Sequence, residues 1–265
     1  DSHKAGGGFG DYDNGVSGEM TKIAWVKNPD GTLGRTWNPW TGCTKVSEGC
    51  KHCYAEALTL RYKWGPAFTA RDHKVVLHPE RLTIPLRVRK PTTFFVCSMS
   101  DLFHEEVPMD YIHVLCQVMD ATPQHTYQIL TKRPERARAI LEQVRVWPLP
   151  NVWLGVSVEK QKWAARRISP LRAIPVNNRF VSCEPLLGPV DFRLYRDLEV
   201  INWVIVGGES GPKHRPMKLE WLADIVGQCR EAGVPVFVKQ DSGLYPGRQG
   251  RIPRELWIQE MPGFE

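Results

Sequence analysis

Thr36-Trp-Asn-Pro-Trp-Thr-Gly-Cys43-Thr-Lys-Val-Ser-Glu-Gly-Cys50-Lys-His-Cys53-Tyr-Ala-Glu56 gathers three cysteines in one short loop with the spacing Cys-x6-Cys-x2-Cys. Thiolates are soft ligands, and close groups of them select zinc or iron–sulfur centres. A closed structural zinc site takes four protein ligands. A [4Fe–4S] cluster held by three cysteines keeps one iron without a protein ligand, open to a small molecule. The two readings demand different surroundings, a fourth donor for zinc and an enclosing cup for the open iron. The donors at hand for zinc are His52, which adjoins Cys53, and the later His73 and His78, with no second Cys-x2-Cys to support them. A redox Cys-x2-Cys pair is disfavoured because Cys43 accompanies Cys50 and Cys53.

Working outward, Lys22-Ile-Ala-Trp-Val26 reads as a strand and Asn28-Pro-Asp-Gly31 as a turn before the loop. Tyr54 to Tyr62 reads as a helix leaving the loop, stopped by Gly65-Pro66. The chain then repeats one theme, a short apolar strand, a polar residue at its end and a helix. Most of the runs 93–97, 126–130, 152–156, 179–181, 203–206 and 234–238 are continuously apolar, as strands buried on both faces are. Between them, Tyr111, Val114, Leu115 and Val118 share a helical face, as do Ala137, Ile140, Leu141 and Val144 after Pro134, and Leu222, Ile225, Val226 and Cys229. With the segment near Lys22 this makes seven strand candidates. The expected fold is α/β, a full or partial (β/α) barrel, with a doubly wound open sheet as runner-up. In a barrel, function gathers at the C-terminal strand ends. Those ends carry Ser98, Asp101, Thr131, Lys132, Ser157, Glu159, Ser182, Glu184, Glu209, Ser210, Lys239 and Gln240.

The 265 residues suffice for one barrel, and no apolar run approaches the roughly 20 residues of a membrane helix. Residues 1–19 read as a disordered or vector-derived leader, with Met20 as a native start. Residues 20–265 read as a single domain, with the cluster loop at 37–56 and a tail at 243–265 that is either a lid over the barrel mouth or a docked terminus. Seven cysteines, four of them scattered through apolar segments, do not make a disulfide scaffold and point to a reducing, cytoplasmic setting. A net charge of +6 mildly favours an anionic partner such as nucleic acid or a nucleotide. The ten tryptophans, Trp37 and Trp40 among them, read first as core filling, as do Cys97 and Cys183 at strand ends. Gly207-Gly-Glu-Ser-Gly211 is a glycine-rich turn that either meets an anion or simply turns tightly, and it lacks the lysine and spacing of a P-loop.

The cysteine stretch, together with Ser98-Met-Ser-Asp-Leu-Phe103, Leu130-Thr-Lys-Arg-Pro134, Trp153-Leu-Gly-Val-Ser157, Phe180-Val-Ser-Cys-Glu-Pro185, Val206-Gly-Gly-Glu-Ser210 and Phe237-Val-Lys-Gln240, resembles the phage- and prophage-associated radical-SAM-like family with a three-cysteine motif and no assigned function. The resemblance runs from Lys22 to Gln240. The wider radical S-adenosylmethionine superfamily spaces its cysteines x3 then x2 with an aromatic before the last, whereas here the first gap is x6 and His52 takes the aromatic's place. What the resemblance implies is a cytoplasmic enzyme in which Cys43, Cys50 and Cys53 each ligate one iron of [4Fe–4S]. S-adenosylmethionine would chelate the fourth iron. One electron from an external donor would cleave it to methionine and a 5′-deoxyadenosyl radical, which would take a hydrogen atom from a nucleic acid or nucleotide substrate. By positional analogy Ser98 and Asp101 meet the cofactor's ammonium, and Ser157 and Glu159 its ribose hydroxyls or carboxylate; Thr131 is a further cofactor-binding candidate. Glu184, Glu209, Lys239 and Gln240 are the catalytic candidates, Lys239 also being a plain ion-pair partner for either glutamate. A lone serine at such a place serves equally as a helix N-cap. The alternative is a non-catalytic nucleic-acid-binding barrel that keeps a structural zinc or a degenerate cluster.

Overall fold

The computed structural model describes residues 20–62 and 74–263; the leader, the Gly65-Pro66 helix stop and His73 lie outside the described residues. Its strands are β1 (Arg35–Trp37), β2 (Trp40–Thr41), β3 (Val76–Leu77), β4 (Thr93–Val96), β5 (Thr126–Thr131), β6 (Val152–Ser157), β7 (Asn178–Cys183), β8 (Trp203–Gly207) and β9 (Val236–Gln240). The longer helices are α1 (Tyr54–Tyr62), α2 (Met109–Asp120), α3 (Pro134–Leu141), α4 (Gln161–Arg172) and α5 (Leu219–Ala232). Strands β2 and β3 form a small antiparallel ladder. The other seven make one parallel sheet in the order β1-β4-β5-β6-β7-β8-β9. It curls into a half-barrel with β1 and β9 as its two edges, so the barrel expectation is met by a partial, open form.

Burial of both alternating faces explains why most of the runs are apolar. One face carries Phe94, Val96, Ile129, Leu154, Val156, Val181, Val204, Val206 and Val238, packed against the buried stripes of α2 to α5. The concave face carries Phe95, Trp153, Phe180, Trp203, Ile205 and Phe237, packed around Trp25 and Val26. Register aligns this aromatic floor: Leu130 stands beside Gly155, Gly155 beside Phe180 and Phe180 beside Trp203. Gly155 is where the floor needs no side chain, since a Cβ there would lie 2.6 Å from the Phe180 ring. Trp25 meets Phe95 edge-on at 4.8 Å and Trp203 at 5.9 Å, geometries that favour aromatic contact.

Residues 22–26 are therefore not the first strand. Their apolar side chains fill the concave face, and the chain there runs against its own return, with Thr21 N–H donating to Gly34 O and Gly34 N–H to Val26 O. The first strand is Arg35–Trp37, which overlaps the start of the cysteine stretch. The Asn28–Gly31 turn forms, with Gly31 in the left-handed region at φ 79°. Helix α1 spans the expected residues, Pro134 opens α3, and the Leu222, Ile225, Val226 and Cys229 stripe of α5 is buried. In α2 the expected face is turned: Val114 is exposed, and Ile112, Leu115, Cys116, Val118 and Met119 face the sheet. Trp37 and Trp40 are core, as are Cys97 and Cys183. The tail docks along β9, where Val238 N–H donates to Ile258 O and Glu260 N–H to Val236 O, and Trp203 Nε1 donates to Glu260 O. It covers a sheet edge there, as a docked terminus does and a lid over the barrel mouth would not. Lys27 Nζ lies 5.7 Å from the Phe237 ring, so the segment that precedes β1 reaches the strand at the opposite edge.

Candidate functional site

Because all seven strands are parallel, their polar ends gather on one rim. The cysteine loop arches over that rim. Tyr54 Oη donates to Ser98 O beyond β4. Thr44 N–H donates to His104 Nε2, and Arg133 Nη2 beyond β5 donates to both Thr44 O and Thr44 Oγ1, at 3.2 and 2.9 Å. Ser47 Oγ donates to Glu159 Oε1 beyond β6 at 2.6 Å. His52 Nδ1 meets Glu209 Oε2 beyond β8 at 2.9 Å, and Arg215, paired with Glu209, donates to Glu48 O. One loop is thus tied to four strand ends that lie far apart in sequence.

Each tie has its own physical basis. Glu159 is 0% exposed and is paired with the buried Arg167, whose guanidinium lies over the Trp163 ring at 4.1 Å. A buried carboxylate needs this compensation. Gly49 lies so close that a Cβ would stand 2.3 Å from Glu159 Oε1, which is why glycine precedes Cys50. Glu48 meets Lys160, Lys162 and Trp163 Nε1. Burial would raise the Glu209 carboxyl, but hydrogen bonds from Arg215 and His52 outweigh it and hold it down to about 2.

All seven cysteines are free thiols, and those of the loop are half-buried. Burial pushes the Cys43 thiol up to about 12, helped by Asp101 and opposed by Arg133. Burial also raises Cys53, against the pull of the Glu56 and Ala55 backbone amides at the start of α1 and of Lys132. Negative charge on Cys53 adds to the rise of Cys43, and negative charge on Cys50 to that of Cys53. Among the described residues no three His, Cys, Asp or Glu side chains converge to hold a single ion. A four-iron cluster takes one thiolate per iron, so its ligands stand apart around a larger body. The donor set of three free thiols in one loop, with Arg133 beside Cys43 and Lys132 beside Cys53, fits such a group.

The residues expected at the site divide into struts and open groups. Asp101 accepts from Phe103 N–H and Thr131 Oγ1 on one oxygen, and from Lys132 N–H and Arg133 on the other. Gln240 is held at both ends by backbone, donating to Gly208 O and accepting from Gly247 N–H. Glu159 and Glu209 are the loop ties just described. Ser98 Oγ donates to Asn38 Oδ1. Two pairs remain on the rim: Lys132 Nζ donates to Ser157 Oγ at 3.1 Å, and Lys239 Nζ donates to Glu184 Oε1. The glycine-rich turn is packing: a Cβ on Gly208 would stand 2.3 Å from Ser242 N, and Gly208 N–H donates to Gln240 O. Sequence reasoning missed Ser47, His104, Arg133, Arg167 and Arg215 as site residues. Arg133 stood in a quoted motif, but nothing local tells a loop arginine that it will meet a cysteine. The shallow recess of about 340 Å³ lined by Asn178, Asn202, Val234 and Pro235 is at the other end of the sheet and carries no titratable group.

No curated protein and no solved structure matches the chain. Residues 20–255 match the model of a family described as a protein of unknown function (DUF5131), which covers most of the chain, and the chain belongs to that family.

Proposed function

We propose that the protein is a radical S-adenosylmethionine enzyme in which Cys43, Cys50 and Cys53 hold a [4Fe–4S] cluster. The observation that carries this reading is the loop itself: three free thiols tied across the rim of a parallel half-barrel by Glu159, Glu209, Arg215 and Arg133. When bound, such a cluster and S-adenosylmethionine supply, with one electron from an external donor, a 5′-deoxyadenosyl radical for hydrogen-atom abstraction. The chain's own part is to hold and shield. Glu159 and Glu209 fix the loop, and the aromatic floor of Trp25, Phe180 and Trp203 keeps water from the base of the cup. Ser157 with Lys132, and Glu184 with Lys239, are the polar groups left to meet ligands. The proposed substrate is a nucleic acid or nucleotide, supported by the net charge of +6. The proposed setting is the cytoplasm, supported by seven free thiols; no described helix is long and apolar enough to cross a membrane.

Anaerobic reconstitution tests the reading. The expected result is a brown protein with about four irons per chain that forms 5′-deoxyadenosine from S-adenosylmethionine and dithionite, and loses its colour in Cys50→Ala. Stoichiometric zinc without cleavage supports instead a nucleic-acid-binding barrel with a structural metal, and iron retained in Cys50→Ala defeats the ligand set.

A further inference from the structure

Arg133 is 5% exposed and spends all of its donors. A guanidinium has five N–H groups in a rigid fork. Nε–H goes to Glu105, at 3.0 and 2.9 Å from its two oxygens. One Nη2–H goes to Thr44 O and the other to Thr44 Oγ1. One Nη1–H goes to Asp101 Oδ2 at 3.3 Å, and the last reaches Cys43 Sγ at 3.6 Å. The five contacts fix the guanidinium in one orientation, and one of its edges is given to a sulfur. A neutral thiol is a weak acceptor, whereas a thiolate bound to a metal carries the charge that such a donor meets well. Asp101 and Glu105 are the carboxylates that meet this cation. Asp101 is buried and fully bonded, while the Glu105 side chain is 60% exposed.

We infer that Arg133 is a positioning residue that sets the reduction potential of the thiolate-held cluster through its hydrogen bond to Cys43 Sγ, with Glu105 as the counter-charge that lowers its effect. This rests on the cluster reading above. Hydrogen bonds to the sulfurs and nearby charge are among the factors that set such potentials, and partners of the ligands tune a metal as the ligands themselves do. The reaction concerned is transfer of one electron from dithionite to the cluster, with no bond made or broken. The added electron adds negative charge beside a fixed cation, so Arg133 favours the reduced form. Removing the cation lowers the potential, and removing the Glu105 carboxylate raises it.

The test is a potentiometric titration of the reconstituted protein, following the reduced cluster by electron paramagnetic resonance. In Arg133→Met the reduced-to-oxidised ratio at a fixed potential is expected to fall about tenfold, which for a one-electron couple is about 59 mV. Arg133→Lys, which keeps the charge without the fork, is expected to lie between. In Glu105→Gln the ratio is expected to rise, by less, and to approach the wild-type value at high salt because exposed charges are screened. Opposite shifts in the two variants are not produced by a loosened loop. Equal ratios in wild type, Arg133→Met and Glu105→Gln overturn the role of Arg133 while leaving the cluster intact; so do shifts of the same sign. If Arg133→Met does not fold, the sign of the Glu105→Gln shift decides. A wild-type protein that takes up no iron overturns this role together with the cluster reading.

Discussion

Glu209 shows how single side chains hold the site. It accepts from Arg215 through both oxygens and from the Arg215 backbone N–H, and its second oxygen also meets His52. Its folded pKa of about 2 lies below the ordinary 4.5. A depressed carboxyl stabilises the fold fully above its unfolded pKa, and that stabilisation is lost as the pH falls from about 4.5 towards 2. Glu209→Gln is therefore expected to cost about 3 kcal/mol at neutral pH, the low end for breaking a buried pair. It is also expected to flatten the loss of stability between those two pH values. Urea unfolding of both proteins across that range measures it, and parallel pH profiles would contradict the assignment. Gly49 works by absence at the same scale, since its missing Cβ is the space that Glu159 Oε1 occupies.

Among the elements, the sheet edges matter most. An open parallel sheet leaves unpaired backbone groups at β1 and β9, which invite pairing with other chains. At β9 the tail supplies the partner, with Phe237 opposite Gln259 and hydrogen bonds on either side of it. Asp241 and Arg251 form a two-pronged pair that turns the chain back before it reaches the strand, and Arg251 also donates to Met217 O. Deleting residues 257–263 is expected to lower the melting temperature by several degrees and to promote self-association, because it removes these bonds and uncovers Trp203. Light scattering and a thermal melt read the outcome; an unchanged melt with no association would show that the edge does not depend on the tail.

For the molecule as a whole, the aromatic floor joins pieces that the sheet alone does not. Trp25 comes from the irregular segment before β1 and packs with Phe95, Phe180 and Trp203 from β4, β7 and β8. It is 2% exposed, so its removal leaves a large void at the centre of the half-barrel. Trp25→Ala is expected to cost about 3–5 kcal/mol of global stability. The transition should stay cooperative, because one cluster touches strands across the sheet. Calorimetry that finds a loss confined to a separate early step would show the N-terminal segment to be an independent cover.

The alternation of apolar runs with helical stripes made the α/β class and six of the seven sheet strands legible. The three-thiol loop and the polar strand ends were legible in the same way, as local patterns of residue type. Hydrophobic period is a property of a few neighbouring residues, so it survives in the sequence. It misassigned the first strand because residues 22–26 are apolar for a different reason, to plug the concave face. Which polar ends would tie the loop was not legible at all. Ser47 and Glu159 are 112 residues apart, and His52 and Glu209 are 157 apart. A charge or a donor gives no sign, along the chain, of the partner that will satisfy it. The sequence by itself determined the layers and the thiols; the curl of the sheet decided which carboxylates became struts and left Lys132, Ser157, Glu184 and Lys239 on the rim, because burial and ion pairing exist only once distant strand ends stand side by side.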